Sequence, residues 1–283
     1  MSSYVVSEQP SPARVDGYAL LGSYAALGDG RTVALVALDG SVDWLCLPDL
    51  DSPALFAALL DSTSGGSFIL RPAVPFRVSR RYLPGTNVLE TMFVTATGTV
   101  RVTDAMTVPD EALSPQRELV RAVEAVQGQV PMCWEVTPRF GFGSGRTRVA
   151  SRGATPVATS GSDAVAVCTW GAGEPRVSGE AVSGRFDAIP GNQVILALSA
   201  AHQEPLVIPA ARESKARLAH TAGMWRRWSE GLRPLQEWQD PVVRSALALK
   251  LLVHAPSGAI AAAATASLPE TVGGGRNWDY RFC

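Results

Sequence analysis

The side chains whose types could do chemistry stand mostly singly. His202, His220 and His254 lack a second ligand three or four positions away, the spacing a helix-borne metal site needs, so no metal or other cofactor is expected. Cys46, Cys133, Cys168 and Cys283 form neither a CxxC pair nor a Cys/His cluster and read as buried free thiols. GSGR at 143–146 and GGG at 273–275 follow no strand-to-helix phosphate-loop pattern and read as turns. Arg226, Arg227 and Arg233 make a small basic cluster, read as a solvated helix face or a contact between domains. Glu90, Asp104 and Glu135 are single acids on predicted strands, read as solvated or ion-paired. Two groups combine aromatic faces with carboxylates: Asp43 and Trp44 with the nearby Asp51, and Trp278, Asp279 and Tyr280. An aromatic ring there serves either as a stacking platform or as core.

The elements that must position these groups are mainly strands. TVALVAL from Thr32 and SVDWLCL from Ser41 flank Asp39-Gly40, which predicts a hairpin closed by a type I′ turn. Further short strands are predicted at 68–71, 76–82, 87–95, 99–106, 119–126, 132–138, 164–170 and 193–200, separated by turn residues and without intervening amphipathic helices. That spacing argues for an antiparallel sandwich and against a parallel α/β sheet. After Pro209 the pattern changes. Leu218, Ala222, Trp225 and Trp228 share one helical face, and Asp240-Pro241 reads as an N-cap followed by proline opening a second helix, VVRSALALKLLVHA. That helix is apolar on nearly every face, which predicts burial among other helices.

Composition bounds the function. A chain of 283 residues with 46% hydrophobic and 18% charged residues is globular and long enough for one large domain or two ordinary ones. A formal net charge of -1 offers no field to attract nucleic acid or an anionic membrane. The N-terminus lacks the basic start and apolar stretch of a secretory signal, and no run approaches about 18 uncharged apolar residues. A cytoplasmic protein is expected.

Three stretches carry a resemblance. GDGRTVALVALDGSVDWLCLPDLDSPALFAALLD from Gly28 to Asp61 resembles the form DGSxDWLCxPRFDSPxxFAxLL; RYLPGTNVLETM from Arg81 to Met92 resembles RRYxPxTxVLET; and Ala255 to Cys283 resembles APTGAIxAAPTTSLPExxGGxRNWDYRYC. All three are motifs of glycoside hydrolase family 15, the bacterial trehalases and glucoamylases, in the family's order. Asp49 stands where the family usually has Arg, Leu50 where it has Phe, and Phe282 where it has Tyr.

The resemblance implies a super-β-sandwich followed by an (α/α)6 barrel, and inverting hydrolysis of α-linked glucosides. Inversion needs one carboxylic acid to protonate the leaving oxygen and one carboxylate to activate water, about 6.5 to 9.5 Å apart. In the family both are barrel glutamates, expected beyond Cys283, so this chain is expected to be a fragment with a truncated barrel and no catalytic residue of its own. The expected divisions are a flexible leader at 1–16, the sandwich at 17–210, a linker helix at 211–235 and the barrel's beginning at 236–283. Tyr280, with Trp278 and Asp279, is implied to line the sugar site, or else to start a barrel helix. Asp43, Trp44 and Asp51 form an expected pocket-bounding loop, although Trp44, Cys46 and Phe56 also read as sandwich core. Trehalose is the preferred substrate; maltooligosaccharides, or glucan binding by a non-catalytic sandwich module, are the alternatives.

Overall fold

The computed structural model describes residues 5–6, 14–108, 117–233, 237–269 and 271. The strands, in chain order, are β1 (Val5–Val6), β2 (Ala25–Gly28), β3 (Val33–Val36), β4 (Ser41–Cys46), β5 (Ala54–Phe56), β6 (Ser67–Pro72), β7 (Phe76–Tyr82), β8 (Leu89–Thr95) and β9 (Gly98–Met106). They continue with β10 (Arg117–Gly128), β11 (Val130–Thr137), β12 (Arg148–Arg152), β13 (Thr155–Ser160), β14 (Asp163–Trp170), β15 (Arg176–Ser178), β16 (Ala181–Ala188) and β17 (Gln193–His202). Two helices follow, α1 (Ala211–Glu230) and α2 (Gln239–Leu251). The protein is mainly β, as the sequence predicts.

The strands form two antiparallel sheets, one of nine strands in the order β1-β7-β8-β9-β10-β17-β14-β13-β12 and one of eight containing β15-β16-β11-β6-β4-β3-β2, with β5 paired to β4. Period-two burial explains the layers. In β6, Phe68, Leu70 and Pro72 are buried while Ser67, Ile69 and Arg71 are less so, and β11 buries Val130, Met132, Trp134 and Val136. Side chains two apart share a face, and these inner faces meet in one core with Val100, Val102, Leu119, Val123, Leu196 and Leu198 from the facing sheet.

The predicted hairpin forms with a different turn. Gly40 has φ 88° but Asp39 is not left-handed, so the type I′ geometry, which needs both, is not made. Instead Gly40 N donates to Ala37 O at 3.1 Å and Ala37 N donates to Ser41 O at 2.7 Å, a wider turn closed by a single left-handed glycine. A Cβ on Gly40 would lie 2.3 Å from Leu70 O. We therefore expect Gly40→Ala to destabilise the fold by about 2 to 3 kcal/mol, measured by urea unfolding; a loss below about 0.5 kcal/mol, the ordinary surface range, would show that the turn tolerates a side chain.

Helix α1 begins after Ala210, whose N donates to Glu213 Oε2 at 2.9 Å. Its buried residues, Ser214, Thr221, Ala222, Trp225 and Ser229, follow the three-to-four spacing of one face, with Leu218 and Trp228 packed beside them. Helix α2 starts two residues earlier than the sequence predicts. Its N-cap is Trp238, at φ 61°, so Asp240 lies inside the first turn, where a carboxylate still complements the helix N-terminus. Val33 from the eight-stranded sheet, Val88 and Ala105 from the side of the nine-stranded sheet, and Ala222, Trp225, Leu247 and Leu251 from the helices form one cluster. The helices thus clamp the rim where the sheets meet. Elsewhere α2 is open, with Leu249 63% exposed. No helix among the described residues is long and apolar enough to cross a membrane.

Candidate functional site

Strand β4 is the element around which the candidate residues gather, and all six of its residues are buried. Asp43 is fully buried, accepting hydrogen bonds from Tyr24 Oη at 2.7 Å and Ser41 Oγ at 2.5 Å, with Arg14 Nη1 at 2.9 Å. The same Arg14 grips Asp39 through Nε at 2.8 Å and Nη2 at 3.0 Å. Burial opposes the Asp39 charge, but the Arg14 contacts outweigh it and hold this carboxyl below the usual carboxylate range. Arg14 falls in the stretch read from sequence as a flexible leader, and its two buried acidic partners fix it in place. No local signal marked them, since 25 positions separate Arg14 from Asp39.

The far side of β4 holds the C-terminal stretch. Trp44 is fully buried in a cluster with Cys46, Ala54 and Ala57, joined by Leu35, Leu59 and Leu268. This cluster is separate from the inter-sheet core that takes Phe56. Trp44 Nε1 donates to Ala264 O at 3.0 Å, and Cys46 Sγ lies 3.2 Å from Ser267 Oγ. Burial pushes the Cys46 thiol up to about 12, so it stays protonated and able to donate. Ala255 N donates to Gly30 O at 2.6 Å, and Leu50 packs against Ala261 and Ala266. Two motif segments about 220 positions apart are thereby stitched together.

Of the residues singled out from sequence, Asp43 and Trp44 lie side by side within β4, not in a loop, and Asp51 is exposed in the turn that follows. Trp278, Asp279 and Tyr280 lie outside the described residues. The loop after β4 borders a cavity of about 480 Å³ lined by Pro48, Ser52, Phe140, Asp163 and His202, in which His202 Nδ1 sits 2.6 Å from Asp163 Oδ1. The strand acids behave as expected for pairing: Glu90 meets Arg81 at 2.9 Å and Asp104 meets Arg121 at 2.9 Å. Glu118 was not singled out from sequence. It is fully buried and accepts bonds from Arg217, Ser214 and Thr107, which ties α1 to β10.

Asp49 shares one oxygen, Oδ1, between Arg31 Nη1 at 3.1 Å and His254 Nε2 at 3.2 Å. These partners are part-exposed, so the pairs are screened and each contributes about 1 kcal/mol or less. The family's usual residue should accordingly be tolerated: Asp49→Arg is expected to lower stability by no more than about 1 kcal/mol in urea titration. A loss above about 3 kcal/mol would mean that Asp49 is a keystone of the junction.

Fold and site together define a β-sandwich domain whose rim carries a helical stretch and a C-terminal segment docked on strand β4. The family model described as "Trehalase-like, N-terminal" matches residues 18–189, and the chain belongs to that family. Among curated relatives, a trehalase from Thermoplasma volcanium is 32% identical over 96% of this chain and 44% of its own length. A trehalase from Mycobacterium tuberculosis is 33% identical over 93% of this chain and 42% of its own length, and one from Thermoplasma acidophilum is 32% identical over 88% and 43%. The chain thus spans less than half the length of these relatives.

Proposed function

We propose that this chain is the N-terminal sandwich and barrel entrance of an inverting α-glucoside hydrolase of glycoside hydrolase family 15, with trehalose as substrate. The observation that carries this reading is the stitching of the first motif to the last: Trp44 and Cys46 hold Ala264 and Ser267. Residues 254–269 precede Trp278, Asp279 and Tyr280 in the sequence. In this reading the sandwich, 17–210, is a rigid base, 211–235 links it to the barrel, and the segment from 236 onward begins the sugar site, where Tyr280 offers its ring to the glucosyl unit.

The reacting glutamates belong, on this account, to the part of the relatives that this chain does not span. Among the described residues, burial pushes the Asp29 carboxyl up, with the Arg31 and Thr32 amides donating to it, and five buried acids are committed to cations. Asp39, Asp43, Glu90, Asp104 and Glu118 each face a guanidinium, which suits structural charges and not a carboxyl that must hold a proton for the leaving oxygen. Free thiols at Cys46, Cys133 and Cys168 fit a reducing, cytoplasmic setting.

The test joins this chain to the remaining length of the Thermoplasma volcanium trehalase and measures glucose release from trehalose and from maltotriose. The hybrid is expected to release glucose from trehalose, and the 283-residue chain alone to release none. A folded hybrid that cleaves only maltotriose would assign the glucoamylase activity instead. One that cleaves neither would favour a non-catalytic module.

A further inference from the structure

A cleft of about 870 Å³ opens between the sandwich rim and the helices, lined among others by Arg80 and Tyr82 of β7, Glu230 of α1, and Asp240 and Arg244 of α2. Its size lies within the roughly 300 to 1,000 Å³ typical of small-molecule sites. Arg80 and Tyr82 are two apart on one strand, so they share a face about 7 Å apart. The Arg244 guanidinium carbon stacks 4.0 Å over the centre of the Tyr82 ring. Tyr82 Oη is already engaged with the Ala26 backbone, accepting from N at 2.9 Å and donating to O at 3.0 Å. The Arg244 guanidinium is therefore stacked on a fixed aromatic ring, and Arg80 stands two residues from that tyrosine on the same strand face.

Their pairing sets them apart. Arg14, Arg81, Arg117, Arg121 and Arg217 all bind carboxylates. Arg80 donates instead to Val36 O at 3.2 Å, and Arg244 to Thr86 O at 2.8 Å and to Asn87 Oδ1. Among the described residues neither has an acidic partner. Burial alone drives both below the usual guanidinium range. A desolvated guanidinium is stabilised by an oxyanion that its fork can hold with two bonds, and both residues line this cleft. Glu230 and Asp240 are exposed and add hydrogen-bond acceptors to the same lining.

We infer that this cleft binds a phosphorylated sugar, its phosphate on Arg80 and Arg244 and its hydroxyls donating to Asp240 and Glu230. The sugar half rests on the carbohydrate reading above, whereas the oxyanion half rests on the guanidiniums alone. Leu83, Val243 and Leu247 line this cleft and pack in the cluster that also takes Ala264, so such a site would report sugar-phosphate levels to the helices that carry the barrel entrance.

Titration calorimetry on the 283-residue chain with glucose 6-phosphate tests this. Saturable binding is expected, with inorganic phosphate and unphosphorylated trehalose each weaker by roughly tenfold or more. Arg80→Gln and Arg244→Gln should each weaken glucose 6-phosphate by roughly tenfold, with far-UV circular dichroism and melting recorded for both. Asp240 is exposed, so Asp240→Asn keeps the fold and should weaken the sugar phosphate but not inorganic phosphate. Inorganic phosphate binding as tightly as glucose 6-phosphate, or unchanged binding in Arg80→Gln, would overturn the proposal. Because the readout is binding without hydrolysis, its failure is distinct from failure of the hybrid to cleave trehalose.

Discussion

Replacing Arg121 with methionine is expected to cost about 3 to 5 kcal/mol of stability, because it strands a buried charge. Arg121 and Asp104 are each 1% exposed and joined by two bonds, Nε to Oδ1 at 2.9 Å and Nη2 to Oδ2 at 3.2 Å. The same guanidinium crosses between the sheets, donating to Phe68 O at 3.1 Å and lying 4.9 Å from the centre of the Phe68 ring. With the cation gone, Asp104 has lost its partner inside the sandwich and must take up a proton or admit water. A paired replacement, Arg121→Met with Asp104→Leu, removes both charges and should recover most of the loss, since apolar residues of similar volume often match a buried ion pair. Urea unfolding of the singles and the double gives the coupling directly. A single variant within about 1 kcal/mol of the parent would show that the pair is wet in solution.

Trp44→Ala should cost about 3 to 5 kcal/mol, the range for emptying a buried aromatic site. The loss has two parts with different reach. The cavity lies in the cluster between β4 and the C-terminal stretch, shared with Leu268, and the missing indole N–H leaves Ala264 O without its donor. Residues 254–269 should then loosen before the sandwich does, so limited proteolysis is expected to cut there at temperatures where strands stay protected. Trp44→Phe separates the parts. It keeps most of the apolar volume and should cost about 1 to 3 kcal/mol for the unsatisfied carbonyl. Equal protease resistance in the parent and Trp44→Ala would dissociate Trp44 from the anchoring of this segment.

Much of the sandwich was legible in the chain because its longer strands alternate. The 76–82 strand matches its predicted bounds, and those at 67–72, 98–106 and 193–202 differ by only one or two residues at either end. Strands β12, β15 and β16 escaped notice since the first two are largely exposed and carry no apolar alternation, and β16 interrupts its pattern with Gly184 and Asp187. Gly184 is required there by the Trp134 ring, 2.6 Å from where its Cβ would stand, a contact between strands that no local rule sees. Trp44 reads from sequence both as core and as part of a pocket-bounding loop, and Cys46 as core. They occupy the outward side of a strand whose two faces are both covered, and continuous burial hides which face is which. The site was less legible than the fold. Its ties span 205 to 221 positions, and only the resemblance of both ends to one family suggested that they belong together.

On these contacts the sandwich fixes the segment from 254 to 269 in place. Hydrogen–deuterium exchange of the Ala255 and Ala261 amides tests it most directly, because they donate to Gly30 O at 2.6 Å and Leu252 O at 2.9 Å. Both amides are expected to be protected nearly as well as the strand amides in β4, with the protection lost in Trp44→Ala. Exchange at the rate of an unstructured peptide in the parent chain would contradict it.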